Sequence, residues 1–185
     1  MKKTLLLVLL IFTKMISANE DSVIITFSPE TSKYWQYISD RTMGGVSDGQ
    51  AVLEQDENKF VARLIGSVST KNNGGFIQLR SSVLFDNLKR NNTNIKGIRL
   101  KVRGNSEVYH IFIRTNETRS YRDYYLASFT ANSNWEMIDL PLNKFKHRVT
   151  KNSNLDSKEL RTFAIVAYGR DFESDISISE IIFYY

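Results

Sequence analysis

The feature that most constrains the fold is a succession of short segments in which apolar and polar side chains alternate. In GIRLKVRGN, the apolar Ile98, Leu100 and Val102 alternate with basic residues, which is the period of a strand with one buried face. Other strand-like segments lie between Gly-, Asn- or Ser-rich breaks: VIITF, FVARLIGSV, GGFIQLRS, VYHIFIRT, YYLASF, WEMIDLPL, RTFAIVAYG and SISEIIFYY. This spacing predicts an all-β sandwich or barrel. Only residues 82–89 and 157–160 favour helices, and both would be short.

Turn residues predict how some of these strands connect. The turn signal GNSE lies between residues 98–103 and 108–115, so we expect these two strands to pair as a hairpin. Asp48-Gly49 is a strong two-residue hairpin signal, because both residues tolerate positive φ. The run Asn72-Asn73-Gly74-Gly75 offers the same tolerance.

The amino terminus has the pattern of a secretory signal peptide. Lys2 and Lys3 precede an apolar run over residues 5–12, and the small pair Ser17-Ala18 follows. The run is shorter than the roughly 20 residues that span a bilayer. We therefore expect residues 1–18 to be removed, residues 19–185 to form a single domain, and the protein to be periplasmic or secreted rather than integral to a membrane.

Composition narrows the class of partner. The chain has 185 residues and a formal net charge of +5, but outside the predicted leader 22 basic residues face 20 acidic ones. The low net charge and the predicted export both argue against a nucleic-acid partner, although Arg99, Lys101 and Arg103 share one strand face. No cysteine is present, so the core must supply the stability.

Two Gly-Gly pairs stand out as candidate functional segments. The first lies in ISDRTMGGVSDGQ and the second in GSVSTKNNGGFIQLRS. Glycine permits positive φ and close backbone approach, so the two segments are expected to pack together, with Asp40 or Asp48 paired to Arg80. Whether this polar cluster locks the segments together or meets a partner stays open, with the structural role favoured.

Several segments resemble, in the same order, the motifs of the complex I intermediate-associated protein 30 family. They are SDRTMGGVSDG, LIGSVSTKNNGGFIQLRS, YLASF with WEMIDLPLNKF, and ESDISISEIIF. The resemblance implies a galactose-binding-like jelly roll of antiparallel sheets, a fold shared with carbohydrate-binding modules. It marks the following residues as a binding or structural motif: Asp40, Arg41, Met43, Gly44, Gly45, Ser47, Asn73, Gly74, Gly75, Phe76 and Arg80.

The sequence gives little support for a catalytic or metal-binding site. His110 and His147 are the only histidines, and neither has a second ligand at zinc spacing; the first is expected on an outer strand face and the second in a solvated basic cluster. Asp40, Asp48, Asp171 and Asp175 match no dedicated calcium loop. Ser47 and Ser69 lack a nucleophile setting, and nothing marks Asp139, Asp171 or Glu173 as an acid–base group. We therefore expect no enzyme activity, no metal and no cofactor.

Two functions from different classes remain. The resemblance implies a non-catalytic, chaperone-like assembly factor that binds a protein partner, such as a membrane-associated complex. The alternative is an exported carbohydrate-binding module, for which Trp35, Tyr37 and Tyr121 would provide rings against which sugars pack. The positions of Trp35 and Trp135 discriminate between the two, since burial of both would remove the best platform for a sugar.

Overall fold

The computed structural model describes residues 22–82, 94–150 and 154–185. The predicted leader, residues 1–18, lies outside this part, as does all but the first residue of the predicted helical segment 82–89. The predicted segment 157–160 begins with a single 3-10 turn, Ser157–Glu159.

The described residues form twelve β-strands connected by turns and short 3-10 helices. The strands are β1 (Ser22–Thr26), β2 (Gln36–Ser39), β3 (Asp48–Asp56), β4 (Lys59–Val68), β5 (Phe76–Ser81), β6 (Gly97–Gly104), β7 (Glu107–Thr115), β8 (Tyr125–Ala131), β9 (Glu136–Pro141), β10 (Lys146–His147), β11 (Leu160–Tyr168) and β12 (Phe172–Tyr184). The 3-10 helices are Ser32–Tyr34, Asp40–Met43, Lys71–Asn73, Leu142–Lys144 and Ser157–Glu159.

The strands form two antiparallel sheets of six strands each. The first sheet has the order β3-β4-β12-β6-β9, and β1 also pairs with β12; the second has the order β10-β8-β7-β11-β5-β2. The long strand β12 pairs with β4 through Phe172–Ile178 and with β1 through Glu180–Tyr184. The predicted class, a jelly-roll sandwich of antiparallel sheets with at most short helices, is confirmed.

The apolar faces of the two sheets pack against each other in one core. Tyr109 is fully buried there, and its hydroxyl donates to the Asn105 side chain at 2.6 Å and accepts from the backbone N–H of Asp175 at 2.8 Å. Phe163 of the second sheet meets Phe183 of the first edge to face, with ring centroids 6.0 Å apart. Within the described residues, no helix is long and apolar enough to cross a membrane.

The predicted hairpin between β6 and β7 is wrong. Strand β6 pairs with β12 and β9 in the first sheet, whereas β7 pairs with β11 and β8 in the second. The chain crosses between sheets at the GNSE turn, where Ser106 has a φ of 64°. Alternation shows which face of a strand is buried, but it does not show which strand is the hydrogen-bonded neighbour. Two strands that face each other across a sandwich have the same alternation as two strands that pair within one sheet.

The hairpin predicted at Asp48-Gly49 is also wrong. Both residues lie inside β3, and Gly49 pairs with Gly66 of β4. The tight turn that joins these strands comes later, at Glu57-Asn58, where Glu57 has a φ of 53°. A Cβ at Gly49 would lie 2.4 Å from the carbonyl oxygen of Ile65, so this Gly serves close approach of two strands rather than a turn.

Candidate functional site

The two Gly-Gly segments meet at the buried carboxylate of Asp40. Asp40 begins a 3-10 helix and is 0% exposed. Its carboxylate accepts hydrogen bonds from the backbone N–H and the hydroxyl of Ser47, at 2.9 and 2.5 Å. It also accepts from the backbone N–H groups of Gly75 and Phe76, at 2.5 and 3.1 Å. One side chain thus connects residues 40–47 to residues 75–76.

Each Gly-Gly pair combines a residue with positive φ and a residue that leaves room for Asp40. Gly44 and Gly75 have φ values of +87° and +124°, a region that favours glycine. A Cβ at Gly45 would lie 2.3 Å from Cγ of Asp40, and one at Gly74 would lie 2.4 Å from its Oδ2. The expected close packing of the two segments is therefore present, with a carboxylate at its centre.

Hydrogen bonding sets the ionisation of Asp40. Burial alone would raise the pKa of this carboxyl, but the hydrogen bonds from Ser47 and from the N–H groups of Gly75 and Phe76 outweigh it, so the pKa lies below its ordinary value. A carboxylate that accepts several backbone hydrogen bonds is stabilised in its charged form. Asp40 is therefore ionised at neutral pH and acts as a structural anion.

Arg80 is not the partner of either aspartate, contrary to expectation. Asp48 pairs instead with Arg41, at 3.5 Å and with both side chains mostly exposed. Arg80 points to the opposite side of β5 from the core, and its buried Nε has no hydrogen-bond partner within the part of the chain that the structure describes. The predicted structural role of Arg80 beside Asp40 is therefore wrong, and this arginine belongs to a different feature.

That feature is a cleft on the side of the second sheet that faces away from the first. Along β5 and β7 the residues that line the cleft alternate with core residues such as Ile77 and Ile111. The cleft has a volume of about 970 Å³. We name it the arginine–aromatic cleft after its lining, which includes Phe76, Arg80, Phe112, Arg114, Tyr121, Tyr124, Arg148, Arg161 and Tyr168.

The segments that Asp40 joins form one wall of this cleft. Of the motif residues predicted from the sequence, Met43, Asn73, Gly74, Phe76 and Arg80 line it. The remaining ones are not part of the lining: Asp40, Arg41, Gly44, Gly45, Ser47 and Gly75. The functional role of the motif stays a prediction, but its members have a common location.

Positive charge is concentrated in the cleft. Six arginines line it, and no aspartate or glutamate is among the described residues that do so. Burial lowers the pKa of Arg80, and the charge of Arg161 lowers it further. Burial also lowers the pKa of Arg114, with added repulsion from Arg80. These cations repel one another, and the acidic side chain that offsets part of the charge of Arg114, Asp123, lies outside the described lining.

Aromatic rings form the floor of the cleft. Phe112 and Tyr124 stack with centroids 4.1 Å apart, and Tyr168 meets Phe112 edge to face at 5.2 Å. Arg148 lies over Tyr124, 5.5 Å from its ring centre, and donates a hydrogen bond to its hydroxyl at 3.0 Å. The floor is rigid because its rings pack on Val166 and other apolar residues of the sheet.

A histidine–aspartate pair holds the loop that forms the far wall. His147 is not solvated as predicted: its side chain is 12% exposed, and its Nε2 lies 2.5 Å from Asp123. Its Nδ1 accepts from the backbone N–H of Thr150 at 2.9 Å, which leaves Nε2 as the donor to Asp123. Asp123 in turn accepts from the backbone N–H of Arg119, a cleft residue, at 3.1 Å.

The other candidate residues lie away from the cleft or serve its structure. Trp35 and Tyr37 pack against the core, and Trp135 lies outside the first sheet, where its Nε1 donates to Asp56 at 3.0 Å. Of the three rings proposed for a sugar, only Tyr121 reaches the cleft, with 58% of its surface exposed. His110 meets Tyr168 edge to face, with ring centroids 5.6 Å apart, and burial lowers its pKa.

The carboxylates considered for catalysis or calcium have local partners. Asp171 accepts from the N–H and hydroxyl of Thr70, Asp139 lies 3.4 Å from Arg99, and Asp175 forms a two-pronged pair with Arg63. Glu173 is exposed at the start of β12. Within the described ranges, no three His, Asp or Glu side chains are grouped as metal ligands would be.

Sequence reasoning missed most of the cleft. Alternation in VYHIFIRT places Arg114 on the outward face of its strand, but Arg148, Arg161 and Tyr168 come from segments far apart in the chain. The missed signal is that strands β5, β7 and β11 each carry an arginine or an aromatic ring on the face away from the core. Only the sheet order shows that these faces adjoin.

Comparison with known proteins gives the family. The family model described as complex I intermediate-associated protein 30 matches residues 25–178. The chain belongs to this family. A comparison with curated proteins found no match.

Solved structures support the same fold. A family 11 carbohydrate-binding module from Clostridium thermocellum, in complex with a β-1,3-1,4-mixed-linked tetrasaccharide, has a TM-score of 0.67 and 12% identity, over 88% of this chain and 95% of the module. A family 30 carbohydrate-binding module of a C. thermocellum cellulase has a TM-score of 0.54 and 11% identity, over 81% and 90%. The K2 cleaved adhesin domain of Lys-gingipain has a TM-score of 0.53 and 11% identity, over 89% and 100%. At this identity the likeness shows the fold alone.

Replacing Asp40 by Asn tests the central carboxylate. Four groups donate hydrogen bonds to the Asp40 carboxylate, and Asp40→Asn replaces one of its two acceptor oxygens with an NH₂ group that can only donate. The change should therefore lower the free energy of unfolding by at least about 3 kcal/mol. The control Asp48→Asn, whose side chain is 70% exposed, should change it by less than about 0.5 kcal/mol. Equal effects of the two changes would contradict the assignment.

The same carboxylate predicts a dependence on pH. Because the pKa of Asp40 is lowered in the folded state, its contribution is present above the ordinary pKa of about 3.9 and is lost as pH falls through the lower folded value. The stability difference between the wild type and Asp40→Asn, measured by urea unfolding, should therefore be constant above about pH 5 and shrink below about pH 4.

The two glycines of the first pair should respond differently to alanine. Gly44→Ala introduces strain at positive φ into open space and should cost about 1 kcal/mol. Gly45→Ala places a methyl group against Asp40 and should cost about 2–3 kcal/mol. Thermal unfolding of both variants measures this, and a Gly45→Ala protein as stable as the wild type would show that the segment does not enclose the carboxylate.

Proposed function

We propose that this protein is a non-catalytic saccharide-binding domain whose ligand lies in the arginine–aromatic cleft. The observation that carries the proposal is the composition of that cleft, which combines an apolar ring floor with a rim of planar hydrogen-bonding groups. Saccharide rings present C–H faces and polar edges, and they bind where aromatic side chains and directed polar groups converge.

The geometry of individual side chains supports this function. Tyr168 and Phe76 are partly exposed at the floor, and Tyr121 projects from the rim. Asn72 and Asn73 are held at positive φ beside Gly74 and line the same wall. These groups sit on sheet strands or on turns fixed by hydrogen bonds, so little ordering would be required when a ligand binds.

The comparisons also support it. Neither the family nor carbohydrate-binding modules of this fold are described as enzymes. One such module, with 12% identity to this chain, was solved in complex with a tetrasaccharide. The expectation of an exported protein agrees with a saccharide ligand, since glycans are abundant outside the cytoplasm; we propose that residues 1–18 direct the chain there.

A protein partner is the second candidate, and the family match favours it. In this role the domain would be an assembly factor that holds part of a membrane-associated complex. The cleft would then receive an acidic segment of the partner, because arginine side chains form two-pronged hydrogen bonds with carboxylates.

Affinity electrophoresis against neutral and acidic polysaccharides tests the proposal. At least one polysaccharide should retard the protein, and Tyr168→Ala should weaken that affinity about 30-fold, because truncation of a central hot-spot ring costs about 2 kcal/mol. The control Trp135→Ala removes a ring outside the cleft and should change the affinity less than about 2-fold. Thermal unfolding of each variant checks that it is folded.

The second candidate predicts a different outcome. No saccharide would bind, and a photo-crosslinker placed at Tyr121 would capture one protein from host membranes, with Arg80→Gln preventing the capture.

For the saccharide experiment, loss of binding in Trp135→Ala but not in Tyr168→Ala would contradict the cleft as the binding site.

A further inference from the structure

The arginine–aromatic cleft is built from hydrogen-bond donors. An arginine side chain offers five N–H donors and no acceptor. The described part of the lining contains six arginines and no carboxylate. A neutral sugar hydroxyl must donate its proton as well as accept one, and carboxylates commonly fill that role in binding sites. The lining also holds one buried acceptor without a partner among the described residues, Oε1 of Gln78, but arginine donors outnumber it. The cleft therefore suits a ligand that supplies mainly acceptors.

Two of these arginines have donors that nothing in the described chain uses. Nε of Arg80 and Nη1 of Arg114 are buried and without a hydrogen-bond partner. Arg114 is held in place by a bond from its Nη2 to the carbonyl of Tyr121 at 3.1 Å and lies 5.6 Å from the ring centre of Tyr124. A buried donor without a partner is costly, and a bound anion would satisfy it.

The described arginines outside the cleft are each paired with a carboxylate, which sets the cleft apart. Arg103 lies 3.4 Å from Asp56 and over the Trp135 ring, and Arg63 is bonded to Asp175. Arg170 is bonded to Glu107. Among the described residues, the excess of positive charge is therefore concentrated at the cleft, although Asp123, outside the lining, offsets part of the charge of Arg114.

Resting on the proposed function, we propose that the ligand is an acidic saccharide whose carboxylate or sulfate groups bind between Arg80, Arg114 and Arg161. A sugar ring of the same chain packs on Tyr168 and Phe76, and Arg148 holds the floor against Tyr124. The acid group accepts hydrogen bonds from the unpartnered donors of Arg80 and Arg114, and its charge reduces the repulsion among the three arginines.

Isothermal titration with a matched pair of probes tests this inference. The first probe is an oligogalacturonate of defined length, and the second is the same chain with its carboxyl groups reduced to hydroxymethyl. The acidic chain should bind at least about 10-fold more tightly, as expected when desolvated charges are paired. A sulfated oligosaccharide of similar length distinguishes sulfate from carboxylate as the preferred acid, and tighter binding of either one supports the class.

Arginine variants locate the effect. Arg80→Gln and Arg161→Gln should each weaken binding of the acidic chain about 10-fold or more, whereas Arg103→Gln should change it less than about 2-fold. Because Arg80 is a half-buried cation beside another cation, Arg80→Gln should leave the unfolding midpoint unchanged or raise it. A fall in the midpoint would show that Arg80 stabilises the fold rather than a ligand.

The outcomes separate this inference from the proposed function. Equal binding of the reduced and acidic chains would overturn the acidic ligand while leaving a saccharide-binding domain. Equal binding of a poly-glutamate of matched charge, or equal effects of Arg80→Gln and Arg103→Gln, would show attraction to polyanions in general and overturn the saccharide class. Failure of every acidic and neutral saccharide to bind would overturn both.

Discussion

The buried Asp40 carboxylate is the interaction on which the rest of the site depends. It receives hydrogen bonds from Ser47, Gly75 and Phe76, and so fixes one Gly-Gly segment against the other. Ser47 extends the connection, because its hydroxyl oxygen also accepts from the backbone N–H of Ser69 at 2.9 Å. A single ionised group thereby satisfies backbone donors from several turns, which would otherwise be buried without partners.

The Asp40 carboxylate also holds one wall of the arginine–aromatic cleft in place. Met43 and Gly74 both line the cleft. Met43 ends the 3-10 helix that Asp40 begins, and Gly74 directly precedes Gly75, whose N–H donates to the carboxylate. On the opposite side, the His147–Asp123 pair holds the loop that carries Arg119 and Tyr121. Both walls are thus held by charged or polar groups that do not themselves enter the cleft. We therefore expect the cleft to change little in shape when a ligand binds, which would lower the entropic cost of binding.

The fold was largely predictable from the sequence, and the site only in part. Alternation and turn residues are local signals, and they correctly indicated two-sided antiparallel packing. They could not show that the strands before and after GNSE belong to different sheets, because burial of one face is the same in both arrangements. The Gly-Gly pairs indicated close packing, yet the group they enclose, Asp40, carries no mark of burial in the sequence. Arg80 was predicted to pair with an aspartate, which is wrong. Its neighbours in the cleft, Arg114 and Arg161, lie on strands that are far away in sequence, so no local sign of them is present around Arg80.

Mapping the bound surface by NMR tests the central claim most directly. With a ¹⁵N-labelled protein titrated with oligogalacturonate, we expect chemical-shift changes in the side-chain Nε–H signals of Arg80 and Arg161 and in the backbone of Asn73 and Gly74. The signals of Arg103 and Trp135, on the outer face of the first sheet, should not move. Changes confined to that outer face, with the cleft signals unmoved at saturation, would contradict the account.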